Sequence, residues 1–180
     1  MSHSHTIRLA TADDAGGLAE LAAVTFPLAC PPGATQEDIA EHLRRTLSAE
    51  KFAEYLADAD IAILAVDDGG ELRGYSMLVA RPTSDPDVAS ALTLEPSTEL
   101  SKCYVHPEHH GLGAAAELMK ATIEHAAGTG AAGLWLGVNN QNAKAIRFYE
   151  KNGFRKVGTK SFQLGGSVEH DFVMERALHV

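Results

Sequence analysis

Between residues 99 and 151 the chain reads strand, helix, strand, helix, and no other feature limits its fold as much. Residues 99–105 alternate apolar and polar positions, a glycine-bearing turn follows, and residues 113–127 carry helical spacing. Leu134-Trp135-Leu136 is again a strand, and residues 142–151 are again helical. Strands joined through a helix cannot close as a hairpin; they lie parallel, linked by a right-handed crossover.

The rest of the chain supplies further strands and their cover. Residues 6–10 predict an opening strand. Thr11 or Asp13 can cap a helix running to about Thr25, with Ala15, Leu18, Leu21 and Ala22 on one face. Pro27, Pro31, Pro32 and Gly33 break that pattern. Thr35 and Asp38 open a second helix in which Ile39, Leu43 and Leu47 recur every four residues, and a third covers residues 49–56. The apolar run 61–66 ends at Asp67-Asp68-Gly69-Gly70, a composition suited to a tight hairpin, with residues 74–79 as the returning strand. Residues 81–96 are rich in Pro, Ser, Thr and Asp and have no sustained period; they read as either a loop or a weakly ordered excursion, and no element is assigned there. Residues 155–159 and 168–174 predict two strands around Gly165-Gly166. Together these elements predict one α+β domain over residues 1–180, built on a mixed sheet.

Fifteen Lys plus Arg stand against twenty-four Asp plus Glu, a net charge of −9. That balance disfavours nucleic acid as a partner and suits cationic small molecules. No basic-then-apolar leader opens the chain, and no apolar run nears the ~20 residues of a membrane span, so a cytoplasmic protein with no membrane partner is expected. Cys30 and Cys103 are then expected to be reduced thiols.

His110-Gly111-Leu112-Gly113-Ala114-Ala115 lies between a predicted strand and a predicted helix. Small residues there let free amide N–H groups surround an anion, so the segment is a candidate phosphate cradle. A dinucleotide fingerprint fails because its downstream acidic position is missing, and a Walker loop fails because no Gly-Lys-Ser/Thr follows. His106, His109 and His110 crowd one turn without a Cys or carboxylate set at ligand spacing, so no metal is expected.

His110, Gly113, Ala115, Asn142, Ala145, Tyr149 and Gly153-Phe154, led by Cys103-Tyr104-Val105-His106-Pro107, resemble the GCN5-related N-acetyltransferase (GNAT) superfamily. His110 stands where that motif has Arg or Gln. Residues 135–138, 145–151 and 158–174 are similar to the PaiA-type polyamine N-acetyltransferases in particular. The resemblance implies the GNAT fold, a central mixed twisted sheet of about six to seven strands flanked by about four to five helices. It implies acetyl-CoA as acyl donor and a small-molecule primary amine, spermidine or spermine first, attacking it directly in a ternary complex. Other amines, or a non-catalytic acyl-CoA-binding module, are the alternatives.

The resemblance also assigns roles. The pyrophosphate would lie on His110, Gly111, Leu112, Gly113, Ala114 and Ala115, and the pantetheine arm along Cys103, Tyr104 and Val105. Asn142 would hydrogen-bond the cofactor, Lys151 would meet a phosphate, and Tyr149 would protonate the departing thiolate. Asn142 and Tyr149 are seven residues apart, close to two helical turns, so one face can carry both. Family members that modify protein N-termini carry a glutamate base five residues before the motif asparagine; here that residue is Gly137. Glu99 is the substitute base expected from this sequence, with a water chain as the alternative. A homodimer is the default expectation for the superfamily.

Overall fold

The computed structural model describes residues 5–111 and 113–179. Its order is β1 (Thr6–Leu9), α1 (Ala15–Ala29), α2 (Gln36–Thr46), α3 (Ala49–Ala57), β2 (Ile61–Asp68), β3 (Glu71–Val79) and α4 (Pro86–Ala91). There follow β4 (Ser97–Val105), α5 (Ala114–Gly128), β5 (Gly133–Asn139), α6 (Ala143–Lys151), β6 (Arg155–Leu164) and β7 (Ser167–Ala177). The seven strands form one sheet in the order β1-β2-β3-β4-β5-β7-β6. β4 and β5 run parallel, as the strand–helix–strand pattern requires, and the other neighbours are antiparallel.

Two helical layers cover this sheet. On one face α5 packs with Leu64, Val66, Leu78, Leu100, Leu134 and Leu136, and Ile146, Phe148 and Tyr149 of α6 join the same core. On the other face Leu18, Leu21 and Phe26 of α1 and Phe52 of α3 pack against Ile63, Tyr75 and Met77. The period-two alternation of the strands produces this split: Tyr75 and Met77 face one way, Ser76 and Leu78 the other. Ser76 buries its hydroxyl by bonding Thr122 of α5 at 2.7 Å. Among the described residues no helix is long and apolar enough to cross a membrane.

Local chemistry sets the element ends. Thr35 and Ser48 cap α2 and α3 by accepting from the amides of Asp38 and Lys51. Gly69 and Gly70, both at positive φ, form the two-residue β2–β3 turn, where side-chain-bearing residues would be strained. Two expectations are corrected, and one segment left without an element acquires one. α1 runs past Thr25 and through Pro27 to Ala29, because a proline in the last turn removes one hydrogen bond without ending the apolar face. Within residues 81–96, to which the sequence assigns no element, lies the six-residue α4, capped by Asp85 and anchored by Val88 against Trp135 and Val173. The last hairpin is longer than expected, since polar residues continue pairing at the sheet edge out to Leu164 and Ser167.

Candidate active site

β4 and β5 pair only where Ser97, Thr98 and Glu99 meet Gly133, Leu134 and Trp135. Beyond that point β4 stays bonded to β3 as far as Val105, and β5 stays bonded to β7 as far as Asn139. The two strands therefore part, and a cleft of about 560 Å³ opens between them. The register of β4 on β3 shifts at Ser101, which has no opposite residue: Leu100 faces Leu78 and Lys102 faces Met77. Such a bulge bends and twists the strand that carries it, turning β4 away from β5. The β5-facing edge of residues 102–105 is left without a strand partner among the described residues.

That edge leads to the start of α5. Gly111 and Gly113 have φ of 86° and 77°, which turn the chain sharply, and a Cβ at Gly111 would meet nothing within 4 Å. The first intrahelical bond runs from the Glu117 amide to the Gly113 carbonyl, so the amides of Ala114, Ala115 and Ala116 precede any helical acceptor. They carry the partial positive charge of the helix start. The Ala114 side chain is fully buried and fastens the helix to the core, whereas His110, Gly111 and Ala115 line the cleft. Leu112 lies outside the described residues. His110 donates from Nε2 to the Val105 carbonyl at 3.1 Å, tying the turn to the end of β4.

α6 forms the next wall. Asn142 caps it, its Oδ1 accepting from the Ala145 amide at 3.2 Å, which leaves the Nδ2 group to donate elsewhere. Asn142, Ala145, Phe148 and Tyr149 line the cleft. The Tyr149 ring is held edge-on between Phe148 at 5.7 Å and Phe154 at 5.8 Å. Gly153, at φ 90°, ends the helix and returns the chain so that the Phe154 amide bonds the Tyr149 carbonyl. Burial pushes the Tyr149 phenol well above its ordinary value, so it remains protonated at neutral pH. Burial likewise pushes the Cys103 thiol up to about 12, making it an apolar liner and no nucleophile. Lys151 is exposed in the last turn of α6 and is not among the cleft-lining residues.

The opposite wall is made of charged side chains. Glu99 and Lys102 of β4 line the cleft together with Lys160 of β6 and Asp171 of β7. The Lys160 ammonium stands 3.8 Å from the Asp171 carboxylate. Burial raises the pKa of Glu99, against the pull of Lys102 and Lys160, and burial lowers that of Lys102. Burial also raises the pKa of Asp171, opposed by Lys160. Above them His42 of α2 stacks on Phe26 of α1 at 4.5 Å, and burial, then Lys102, lowers its pKa to about 4. Its imidazole is therefore neutral at pH 7.

Of the residues that the sequence assigns to the site, Glu99, Cys103, Tyr104, Val105, His110, Gly111, Ala115, Asn142 and Tyr149 line the cleft, whereas Gly113, Ala114 and Lys151 do not. It missed Lys102, His42, Lys160 and Asp171 as site residues. Lys160 and Asp171 are cross-strand partners in a hairpin far along the chain, a relation no local motif encodes. The three histidines turn to different partners: His106 accepts from the Glu108 amide, His109 lies 3.3 Å from Asp68, and His110 bonds Val105.

The chain matches the acetyltransferase (GNAT) family over residues 26–154. It is 47% identical over 165 residues to an uncharacterized N-acetyltransferase of Mycobacterium tuberculosis, covering 92% of this chain and 98% of that one. Its fold is similar to that of the PaiA N-acetyltransferase from Thermoplasma acidophilum in complex with coenzyme A, at a TM-score of 0.76 and 24% identity over 97% and 99% of the two chains. A putative acetyltransferase from Salmonella typhimurium with its cofactor acetyl-CoA is similar at a TM-score of 0.69 and 23% identity over 98% and 95%. With its parted parallel strands, glycine turn and capped α6, the chain belongs to the GNAT family of acetyltransferases.

Proposed function

We propose that the cleft takes acetyl-CoA along β4 and the start of α5 and passes its acetyl group directly to a primary amine, a polyamine such as spermidine or spermine. One observation carries this reading: an unpaired strand edge runs from a positively polarised helix start to a buried phenol. The residues fit such a donor. The amides of residues 114–116 suit a pyrophosphate, and the open side of Gly111 leaves room for one. The free edge of residues 102–105 can pair with the amides of a pantetheine arm as a strand edge pairs with a peptide. Bound there, the thioester supplies an activated acetyl group. Asn142 offers its Nδ2 protons to the donor, and Tyr149 holds the proton that the leaving sulfur requires.

The carboxylates Glu99 and Asp171, the net charge of −9 and the resemblance of residues 135–138, 145–151 and 158–174 to polyamine acetyltransferases support a cationic acceptor. A second reading, an amine that carries its own carboxylate, is favoured by Lys102 and Lys160, which match those carboxylates charge for charge. The deciding experiment measures coenzyme A thiol release from acetyl-CoA with spermidine, spermine, putrescine, an aminoglycoside, free amino acids and a peptide N-terminus, beside calorimetric titration of acetyl-CoA. Saturable release with polyamines alone supports the first reading, and release with amino acids alone supports the second. Binding without release for any amine would turn the reading toward an acyl-CoA-binding module.

A further inference from the structure

We infer that Asp171 accepts the proton of the incoming ammonium, and that Lys160, laid across Gly137, is the positioning residue that holds the Asp171 carboxylate in place. The inference rests on the amine-acetylation reading above.

Asp171 is only 8% exposed, yet among the described residues no donor reaches it at hydrogen-bond distance; the Lys160 ammonium at 3.8 Å is its nearest cation. Glu175, four residues along the same face of β7, is the useful contrast. Fully buried, it accepts from the Thr93 and Leu94 amides at 2.9 and 3.0 Å and from the Thr93 hydroxyl at 2.6 Å. Glu175 is thus a satisfied structural carboxylate tying down the loop after α4. Asp171 instead opens on the cleft with acceptor capacity that no described protein donor takes up, so a ligand entering the cleft can supply the donors. An ammonium brings three.

The register explains how it is held. Asp171 lies opposite Asn139 of β5 and opposite Lys160 of β6. Gly137 is the next residue on that face of β5, and a Cβ there would lie 2.6 Å from Lys160 Cε and 3.3 Å from Asp171 Oδ2. The missing side chain is therefore the groove through which Lys160 crosses to the carboxylate. The buried Tyr104 phenol is within electrostatic reach of Asp171, and the Tyr149 phenol is within reach of Tyr104, so the acceptor carboxylate and the leaving-group acid flank one region. Glu99 stands at the closed end of the cleft, on the last paired step with Trp135, with Lys102 and Lys160 as its charged neighbours.

Asp171 takes one proton from the ammonium, freeing a nitrogen lone pair that forms the carbon–nitrogen bond to the acyl carbon as the carbon–sulfur bond breaks. Tyr149 gives its phenol proton to the sulfur and regains one from the nitrogen through water. The remaining proton stays on the amide, and Asp171 returns its own to solvent. Lys160 favours the charged form of Asp171 against burial.

The test uses Asp171→Asn with acetyl-CoA and the panel amine that wild-type enzyme turns over fastest. A kcat at least about 100-fold lower at pH 7 is expected, with unchanged calorimetric affinity for acetyl-CoA. The deficit should shrink about tenfold per pH unit toward the amine pKa near ~10, because free amine needs no acceptor. A second readout needs no turnover. The ¹³C-carboxyl resonance of Asp171 should titrate at higher pH in Lys160→Met and in Gly137→Ala than in wild type, since both remove or displace the cation. A kcat within threefold of wild type for Asp171→Asn, or an unmoved carboxyl titration in both other variants, would overturn the assignment. So would loss of the acidic limb of the pH profile in Glu99→Gln but not in Asp171→Asn. Turnover of no amine by wild-type protein would remove the amine-acetylation reading itself and this assignment with it.

Discussion

The two walls of the cleft are built from different materials. The wall formed by β4, the start of α5 and α6 presents peptide groups, a capping amide and one phenol, and most of its geometry follows from neighbours in sequence. The wall beneath α1 and α2 presents Glu99, Lys102, Lys160 and Asp171, which come from three strands and meet only through register. Backbone donors cannot be exchanged by substitution, so the first wall suits a group common to every turnover. Side chains can be exchanged one at a time, so the second suits whatever varies.

Single substitutions test the two walls separately. Tyr149→Phe removes the proton from the first wall without altering its shape, and kcat should fall about 100-fold while calorimetry returns the wild-type affinity for acetyl-CoA. Unchanged turnover would strip that wall of its chemical role. Asn142→Ala removes the cap of α6 and the Nδ2 donor together. A stability loss of about 1 kcal/mol by denaturant titration and a roughly tenfold weaker acetyl-CoA affinity are expected. Gly113→Ala adds a methyl whose nearest neighbour, Glu117 Oε1, is 3.8 Å away, so its cost is confined to a left-handed backbone, about 1–2 kcal/mol. Acetyl-CoA affinity should fall a few-fold, read by the same titration.

The smallest effect comes from the second wall and concerns stability. Burial raises the Asp171 pKa above the unfolded value near ~3.9, so its contribution to stability is fully present below that value and is lost as pH rises through the folded pKa. At pH 7 the ionised group is a burden. Asp171→Asn should therefore melt about 2 °C higher at pH 7 by calorimetry, with the gain vanishing below about pH 4. A lower melting temperature at pH 7 would mean that Asp171 braces the fold.

The same contrast governs how much could be read from the sequence. His110 to Ala115 and Asn142 to Tyr149 carry their spacing in one turn or one helix, so the first wall was legible down to individual residues. Lys151 was the exception: the end of a helix says nothing about which way a long side chain leaves the cleft. The Lys160–Asp171 pair was invisible because eleven positions and a hairpin separate its members, and only the β6–β7 register brings them opposite each other. Gly137 was noticed for the glutamate it lacks, but its vacant Cβ position has meaning only once Lys160 is known to pass over it. α4 falls in a stretch to which the sequence assigns no element, because six residues hold too little helical period to stand out from a Pro- and Asp-rich background.

The unpaired Ser101 gives β4 one residue more than its ladder with β3 uses. Because the bulge absorbs that residue, Lys102 faces Met77 and Tyr104 faces Tyr75, while Cys103 and Val105 join the core beside α5. Deleting that one serine would therefore leave these four side chains on the faces they now occupy and remove the bend alone. The spare residue acts on curvature and not on address: without it β4 keeps its register on β3 but loses the device that turns it from β5, and the cleft narrows at its root.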